Sequence, residues 1–232
     1  MSAVYIISAP SGSGKSTLVN ELRKLVPNLD FSISYTTRNP RGSEQDGREY
    51  NFVDRVQFDA MVQRDEFLEH AVVFGNCYGT AKKFLVEAQR SNHDLVLDID
   101  VQGAAQIEKK LSEAVSIFIL PPDRKTLEWR LRSRGQDADE VIVRRLATAS
   151  REIENYDKYD YILVNDRLDE SVDALKAIVL AERSRRSGAT PSAEDSRILE
   201  LAERCRLENM RGQVRRILQS FRDGTAGTAS GF

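Results

Sequence analysis

The 232-residue chain is poor in the residues that build metal centres and nucleophilic triads. It has two histidines, His70 and His93, and two cysteines, Cys77 and Cys205. None stands at metal-ligand spacing from another, which speaks against a zinc site or a His-based triad. One disulfide, Cys77–Cys205, is the most the chain can make, and two free thiols in a reducing compartment is the plainer reading. Strong charge of one sign is also missing. With 34 Lys plus Arg against 36 Asp plus Glu, the formal net charge is −2, so no global field points to nucleic acid or to an anionic membrane. No apolar run approaches the roughly 20 residues that span a bilayer. The opening Met1-Ser2-Ala3-Val4-Tyr5-Ile6-Ile7 has no basic segment, and its apolar run breaks at Ser8, unlike a secretion signal. A cytoplasmic protein with no nucleic-acid or membrane partner is expected.

What is present is an ordinary globular core, with 41% hydrophobic residues, enough to fold without staples. Short β-type runs at Val4–Ala9, Tyr50–Val53, Phe67–Val73, Leu95–Ile99, Ser116–Leu120 and Tyr161–Val164 read as strands. Helical spacing recurs at Lys15–Val26, Val56–Val62 with Asp54 as cap, Lys82–Ser91, Val101–Leu111, Arg124–Arg134, Glu140–Tyr156 and Leu168–Arg185. The alternation predicts an α/β domain with a parallel sheet. Residues 35–50 read as a long polar loop and Gly75-Asn76 as a turn.

The strongest motif is Ala9-Pro10-Ser11-Gly12-Ser13-Gly14-Lys15-Ser16-Thr17, between a strand and a helix. Glycines let backbone N–H groups point inward, and the helix N-terminus adds partial positive charge. Lys15 can reach β- and γ-phosphates, and Ser16 can offer its hydroxyl to Mg²⁺. Ala9 stands where the phosphate-loop pattern has its first Gly. Asp98 and Asp100, at the end of the Leu95–Ile99 strand, are the matching carboxylates; Asp100 also suits a helix N-cap.

A second polar cluster comprises Ser34 through Arg41, Glu44 and Tyr50. Arg38 and Arg41 can bind one phosphate, with Tyr50 and Tyr78 donating hydroxyls to it. A solvated basic loop is the bland alternative. Glu69 can accept a guanine ring N–H and exocyclic amine together, and Thr80 can donate to the guanine carbonyl. Adenine lacks that donor pair, and a buried site built this way rejects it.

In these stretches, with Asp98-Ile99-Asp100-Val101-Gln102-Gly103-Ala104, the chain resembles the guanylate kinases over about residues 3–185. The resemblance implies a P-loop kinase fold with a core, an inserted GMP-binding region (about 34–91) and a lid over ATP (about 124–156), in a domain of residues 1–186. It implies transfer of the γ-phosphoryl group of ATP to GMP with Mg²⁺. The ATP site would be residues 9–17 with Arg130, Arg134 and Asn165. The GMP site would be Ser34, Arg38, Arg41, Glu44, Tyr50, Glu69, Tyr78, Thr80, Asp98 and Asp100, with Glu44 less firmly placed because Gly42-Ser43 reverse the family's usual arrangement. Catalytic residues would be Lys15, Arg38, Arg134 and Arg145. Ser16 would bind Mg²⁺, and Asp100 would reach it through water. Arg132 and Arg144 would face water.

Two alternatives stay open: a non-catalytic interaction module of the same fold, and a related kinase acting on a phosphorylated sugar. Residues 187–232 lie outside the resemblance. They read as a linker at 187–192, a helical extension and a disordered end over the last ten residues. Leu207, Met210, Val214, Ile217 and Phe221 form one apolar stripe. It packs in cis or, through the 198–221 helix, pairs copies of the chain, so monomer and homo-oligomer both remain.

Overall fold

The computed structural model describes residues 2–135, 137–188 and 193–226. The strands are β1 Val4–Ser8, β2 Leu29–Phe31, β3 Tyr35–Thr36, β4 Asn51–Phe52, β5 Phe67–Val73, β6 Asn76–Ala81, β7 Asp94–Asp98, β8 Val115–Leu120 and β9 Tyr161–Val164. The helices are α1 Lys15–Leu25, α2 Arg55–Gln63, α3 Lys82–Ser91, α4 Val101–Lys110, α5 Arg124–Ser133, α6 Asp139–Ile153, α7 Leu168–Ser187, α8 Ala193–Arg204 and α9 Leu207–Ala226. The fold is α/β with a central parallel sheet. Two compact units are distinguished: Met1–Ile7 with Val26–Val115, and Ser8–Leu25 with Ser116–Phe232.

In the first unit β2, β7 and β1 run parallel in that order, Leu29 opposite Asp94 and Ile7 opposite Asp98. All five residues of β1 are buried, which is why this strand reads as a continuous apolar run rather than an alternation. Asp94 is buried too, and accepts the Ala3 N–H at 2.7 Å. A second sheet has the order β4-β3-β6-β5. Its β5–β6 hairpin turns at Phe74 and Gly75, both at positive φ (49° and 82°), the geometry that matches strand twist in a two-residue turn. Against this sheet lies α2, which Asp54 caps by accepting Gln57 N–H at 2.7 Å. Phe58, Met61, Phe67, Cys77 and Ala81 form its core.

In the second unit β8 and β9 are parallel, Ile117 opposite Tyr161 and Leu120 opposite Val164. Leu18, Val19 and Leu22 bury one face of α1. The stripe of α9 is buried in this unit: Val214, Ile217 and Phe221 are 0–1% exposed, each contributing roughly 2 kcal/mol of apolar burial. These three residues of the extension pack in cis, while Leu207 and Met210 at the start of the stripe are half-buried. The α8–α9 corner adds a short antiparallel bridge to β9, Ile162 N–H to Cys205 C=O at 2.8 Å and Leu207 N–H to Asp160 C=O at 3.1 Å. Arg206 lies 4.2 Å over the Tyr161 ring and bonds Glu182 at 3.1 Å. Glu182 also accepts from the Tyr161 hydroxyl.

Several local expectations shift. The stretch 35–50 contains β3 and an isolated bridge between Asp46 and Tyr50, because Asn51 and Val53 N–H groups pair with Ser34 and Thr36 carbonyls. The turn falls at 74–75, one residue before the Gly75-Asn76 expected. The tail is two helices rather than one. Of the last ten residues, 223–226 continue α9, and the remainder lies outside the described residues. At the 187–192 linker, α7 runs on to Ser187 and stops at Gly188 with φ 66°; 189–192 lie outside the described residues. Cys77 and Cys205 are free, buried thiols. Among the described residues no helix is long and apolar enough to cross a membrane.

Candidate active site

The second unit holds the phosphate loop. Ser13 N–H closes a turn on Pro10 C=O at 3.1 Å, and the α1 ladder begins with Leu18 N–H to Gly14 C=O at 3.2 Å. The N–H groups before Leu18 stand outside that ladder and face the loop end of the helix. Gly12 and Gly14 have φ of 94° and 87°, and both are crowded. A Cβ on Gly12 would lie 2.8 Å from Leu131 Cδ2, and one on Gly14 2.4 Å from Asn165 Nδ2. Ala9 is not among the residues with positive φ, so the backbone needs no glycine there.

Asn165 closes the loop from behind. Its Nδ2 donates to Ser13 C=O at 2.7 Å, and its own N–H bonds Leu120 C=O at 2.8 Å. The Ser13 hydroxyl is buried with no hydrogen-bond partner among the described residues. Arg130 on α5 donates from Nη2 to Asn165 C=O at 2.9 Å, while its Nη1 is buried without a partner among the described residues. Burial pulls the Arg130 guanidinium below its ordinary value, and the charge of Arg134 adds to this. Arg134 itself is exposed at the end of α5. Arg145 pairs with Asp137 at 2.9 Å, both 13% exposed. Arg132 and Arg144 are exposed, as expected. Lys15 and Ser16 open α1, with Ser16 exposed.

The first unit holds the second cluster. The register of β5 against β6 puts Glu69 opposite Thr80, and Thr80 Oγ1 donates to Glu69 Oε1 at 2.6 Å. They are 3% and 0% exposed. Burial, reinforced by Asp100, pushes the Glu69 carboxyl up to about 7, even though the Thr80 bond favours its ion. Gly103 makes room for it: a Cβ there would lie 2.5 Å from Glu69 Oε2. Asp100 caps α4 by accepting Gly103 N–H at 2.8 Å. Ser34 is buried and immediately precedes β3, whose pairing of Tyr35 with Gly79 and Thr36 with Tyr78 leads back toward Thr80.

Arg38 and Glu44 form a two-bond pair, Nη1 to Oε2 at 2.9 Å and Nη2 to Oε1 at 3.0 Å. Glu44 also accepts Arg41 N–H at 2.7 Å. Burial opposes the charge on Arg38, but Glu44 and the Tyr78 hydroxyl outweigh it and raise its value. Burial likewise opposes the charge on Glu44, and the Arg38 bond outweighs it and lowers its value. The Arg38 guanidinium lies 5.2 Å from the Tyr50 ring centre, and the Tyr50 and Tyr78 rings meet edge-on at 5.9 Å. Burial, then the charge of Asp98, holds the Tyr50 hydroxyl well above its usual range. Arg41 is exposed; it gives this cluster its backbone N–H, and its charge adds to the lowering of Glu44.

Four contributors were not foreseen. Gly103 had one sequence signal, a glycine inside a helix. Phe52 lies under Arg38, its ring centre 5.8 Å away. Leu127 and Leu131 back Gly12, and nothing in their helical spacing separates them from other core leucines.

A strand, a glycine loop at a helix N-terminus and a separate buried carboxylate–hydroxyl pair define a P-loop nucleotide kinase. The guanylate kinase family model matches residues 1–182. The chain is 63% identical to the guanylate kinase of Koribacter versatilis over 225 residues, 96% of this chain and 97% of that protein. It is 50% identical to the guanylate kinase of Escherichia coli K12 over 186 residues, 79% and 90% of the two chains. The crystal structure of guanylate kinase from Anaplasma phagocytophilum superposes with a TM-score of 0.65 at 35% identity, covering 78% of this chain and 86% of that one. The chain belongs to the guanylate kinase family, enzymes that move the γ-phosphoryl group of ATP to GMP.

Proposed function

We propose that this chain carries out that transfer with its two units in separate roles: the phosphate loop and α5–α6 serve ATP, and the Arg38 and Glu69 clusters serve GMP. The observation that carries the guanine reading is the buried Glu69–Thr80 pair. It leaves Glu69 Oε2 as an acceptor beside Gly103, where a Cβ would press on it at 2.5 Å. Ionised, Glu69 accepts the two guanine donors and Ser34 completes the recognition; Thr80, whose one hydroxyl proton goes to Glu69, orients that carboxylate and would have to turn from it to donate to the guanine carbonyl. A sugar phosphate offers no such donor pair, and an interaction module needs neither the glycine-built loop nor the buried carboxylate.

Arg38, Tyr50 and Tyr78 hold the GMP phosphate, with Arg41 reaching in from the exposed loop. Glu44 acts by orienting Arg38 rather than by touching an anion, since carboxylate and phosphate repel. Asp98 and Asp100 border the acceptor side. Backbone N–H groups of residues 11–17 and Lys15 cradle the ATP phosphates, and Ala9 and Pro10 set the turn that leads into them. Asn165 holds that cradle, and Arg130 lines its adenine side.

Among the described residues no group of three or more His, Cys, Asp or Glu side chains could cage a metal. The oxygen donors of Ser16 and Asp100 are of the hard type that Mg²⁺ takes beside its own waters and substrate phosphates. Ser16 would hold it directly and Asp100 through water, and the ion would neutralise charge on the β- and γ-phosphates.

The acceptor is already an anion, so an oxygen of the GMP phosphate attacks the γ-phosphorus without a general base, and the bond to the ADP oxygen breaks. Lys15, Arg38, Arg134 and Arg145 neutralise the spreading charge, making catalysis a matter of position and electrostatics. The enzyme works in the cytoplasm.

The deciding experiment is Lys15→Ala, assayed by GDP formation. Turnover should fall by roughly a thousandfold or more, the scale of losing a main charge contact in the transition state, with the circular dichroism spectrum unchanged. GDP formation at the parental rate would reject the assignment of the loop.

A further inference from the structure

The family model ends at residue 182, so it assigns nothing to α8 and α9. Their contacts within the second unit are specific. Two elements support the phosphate loop from behind. One is α5, whose Leu127 and Leu131 are fully buried against Gly12. The other is the end of β9, where Asn165 grips Ser13.

The extension fastens onto both. Ser220 on α9 accepts the Arg124 N–H at 3.1 Å, at the first turn of α5. That donor has no partner inside its own helix. Ser220 in turn donates to Ile217 C=O at 2.7 Å, which fixes its hydroxyl with a lone pair toward α5. Arg206 sits on the Tyr161 ring and bonds Glu182, pinning the start of β9, three residues before its last residue, Val164.

We propose that the C-terminal extension is a brace for the ATP half of the site, with Ser220 and Arg206 as positioning residues that act through α5 and β9. The inference rests on the reading of the phosphate loop as the ATP site. A helix held at its first turn and by a buried apolar face keeps its register, and Leu131 and Arg130 are carried on that register. Freed at that end, α5 would rock, and the loop behind which it stands would lose its preorganised form. GMP residues lie on other elements, so the effect is asymmetric between the two substrates. The Koribacter versatilis relative matches over nearly the whole chain, whereas the Escherichia coli relative matches 79% of it.

The test uses the full chain with Ser220→Ala, Ser220→Thr, Arg206→Gln and Lys15→Ala. Steady-state constants for each substrate are measured, together with calorimetric titration of a non-hydrolysable ATP analogue. Ser220→Ala and Arg206→Gln should each raise KM for ATP and Kd for the analogue roughly three- to tenfold, the scale of one lost hydrogen bond. KM for GMP should stay within about 1.5-fold, well below that scale. Ser220→Thr, which keeps the hydroxyl, should restore the parental values. A fall in melting temperature with all constants unchanged would overturn the brace and leave the extension a stabiliser of the fold. Equal rises in both KM values would overturn it as well. If analogue binding survives Lys15→Ala, the reading of the loop falls, and the brace with it. If binding is lost in Lys15→Ala but unchanged in Ser220→Ala and Arg206→Gln, the brace alone fails.

Discussion

Thr80 donates its hydroxyl to Glu69 at 2.6 Å from the facing strand, and both side chains are closed off from water. The bond fixes which Glu69 oxygen is occupied before any ligand arrives. It does not supply enough stabilisation to keep the carboxylate charged: burial, with Asp100 nearby, still sets it to about 7.

A pH dependence follows from that value. Two N–H donors from guanine require the ionised form, so GMP binding expels a proton whenever Glu69 carries one. KM for GMP should rise as pH falls below about 7, approaching tenfold per pH unit. Glu69→Gln should show a raised KM without that added slope; comparing the two proteins at each pH cancels the titration of GMP itself. Parallel profiles would refute the role. Stability carries the opposite sign. The folded value lies above the usual carboxylate value of 4.5, so Glu69 weakens the fold as pH rises through about 7. Glu69→Gln removes that decline.

Gly103→Ala separates fold from function. Inside α4, alanine favours the helix by about 1 kcal/mol. Its Cβ would meet Glu69 Oε2 at 2.5 Å and Cδ at 2.9 Å, and the carboxylate must give way. The melting temperature should change by only a few degrees, while KM for GMP rises about tenfold or more, since a buried recognition group is misplaced. ATP-analogue binding by calorimetry should remain parental; loss of both would place the damage elsewhere.

Asn165→Ala removes the amide that holds Ser13 C=O. Leaving that carbonyl without its partner should weaken ATP-analogue binding roughly tenfold, within the 1–3 kcal/mol of an unsatisfied buried acceptor. KM for GMP should hold steady. An unchanged analogue affinity would show that the loop keeps its shape without Asn165.

What could be read from residue order alone divides along a physical line. The phosphate loop was legible because its chemistry is contiguous: glycines, a lysine and a hydroxyl lie within nine residues, flanked by a strand and a helix. β1, β5 and β9 were legible from short runs of β-formers. β6 was not, because Asn76 and Gly79 have little strand propensity and are held by pairing with β5. Glu69 and Thr80 stand eleven residues apart; each was named for its donor or acceptor, but their bond depends on the hairpin register. Arg38 with Glu44, and Arg145 with Asp137, follow no helical or strand period, so their pairing waits on loop geometry. The α9 stripe announced a buried face. Which surface it covers is a tertiary fact, and so is the reach of Ser220 to α5.

The bridge between Arg206 and Tyr161 also bears on how the chain behaves in a crowded solution. One side of β9 pairs with β8, and an uncovered far side would present unpaired N–H and C=O groups to strands of neighbouring molecules. The α8–α9 corner occupies those groups at Asp160 and Ile162. Molecules carrying this corner should resist strand-to-strand aggregation during heating and concentration, a benefit to the cell independent of catalytic rate.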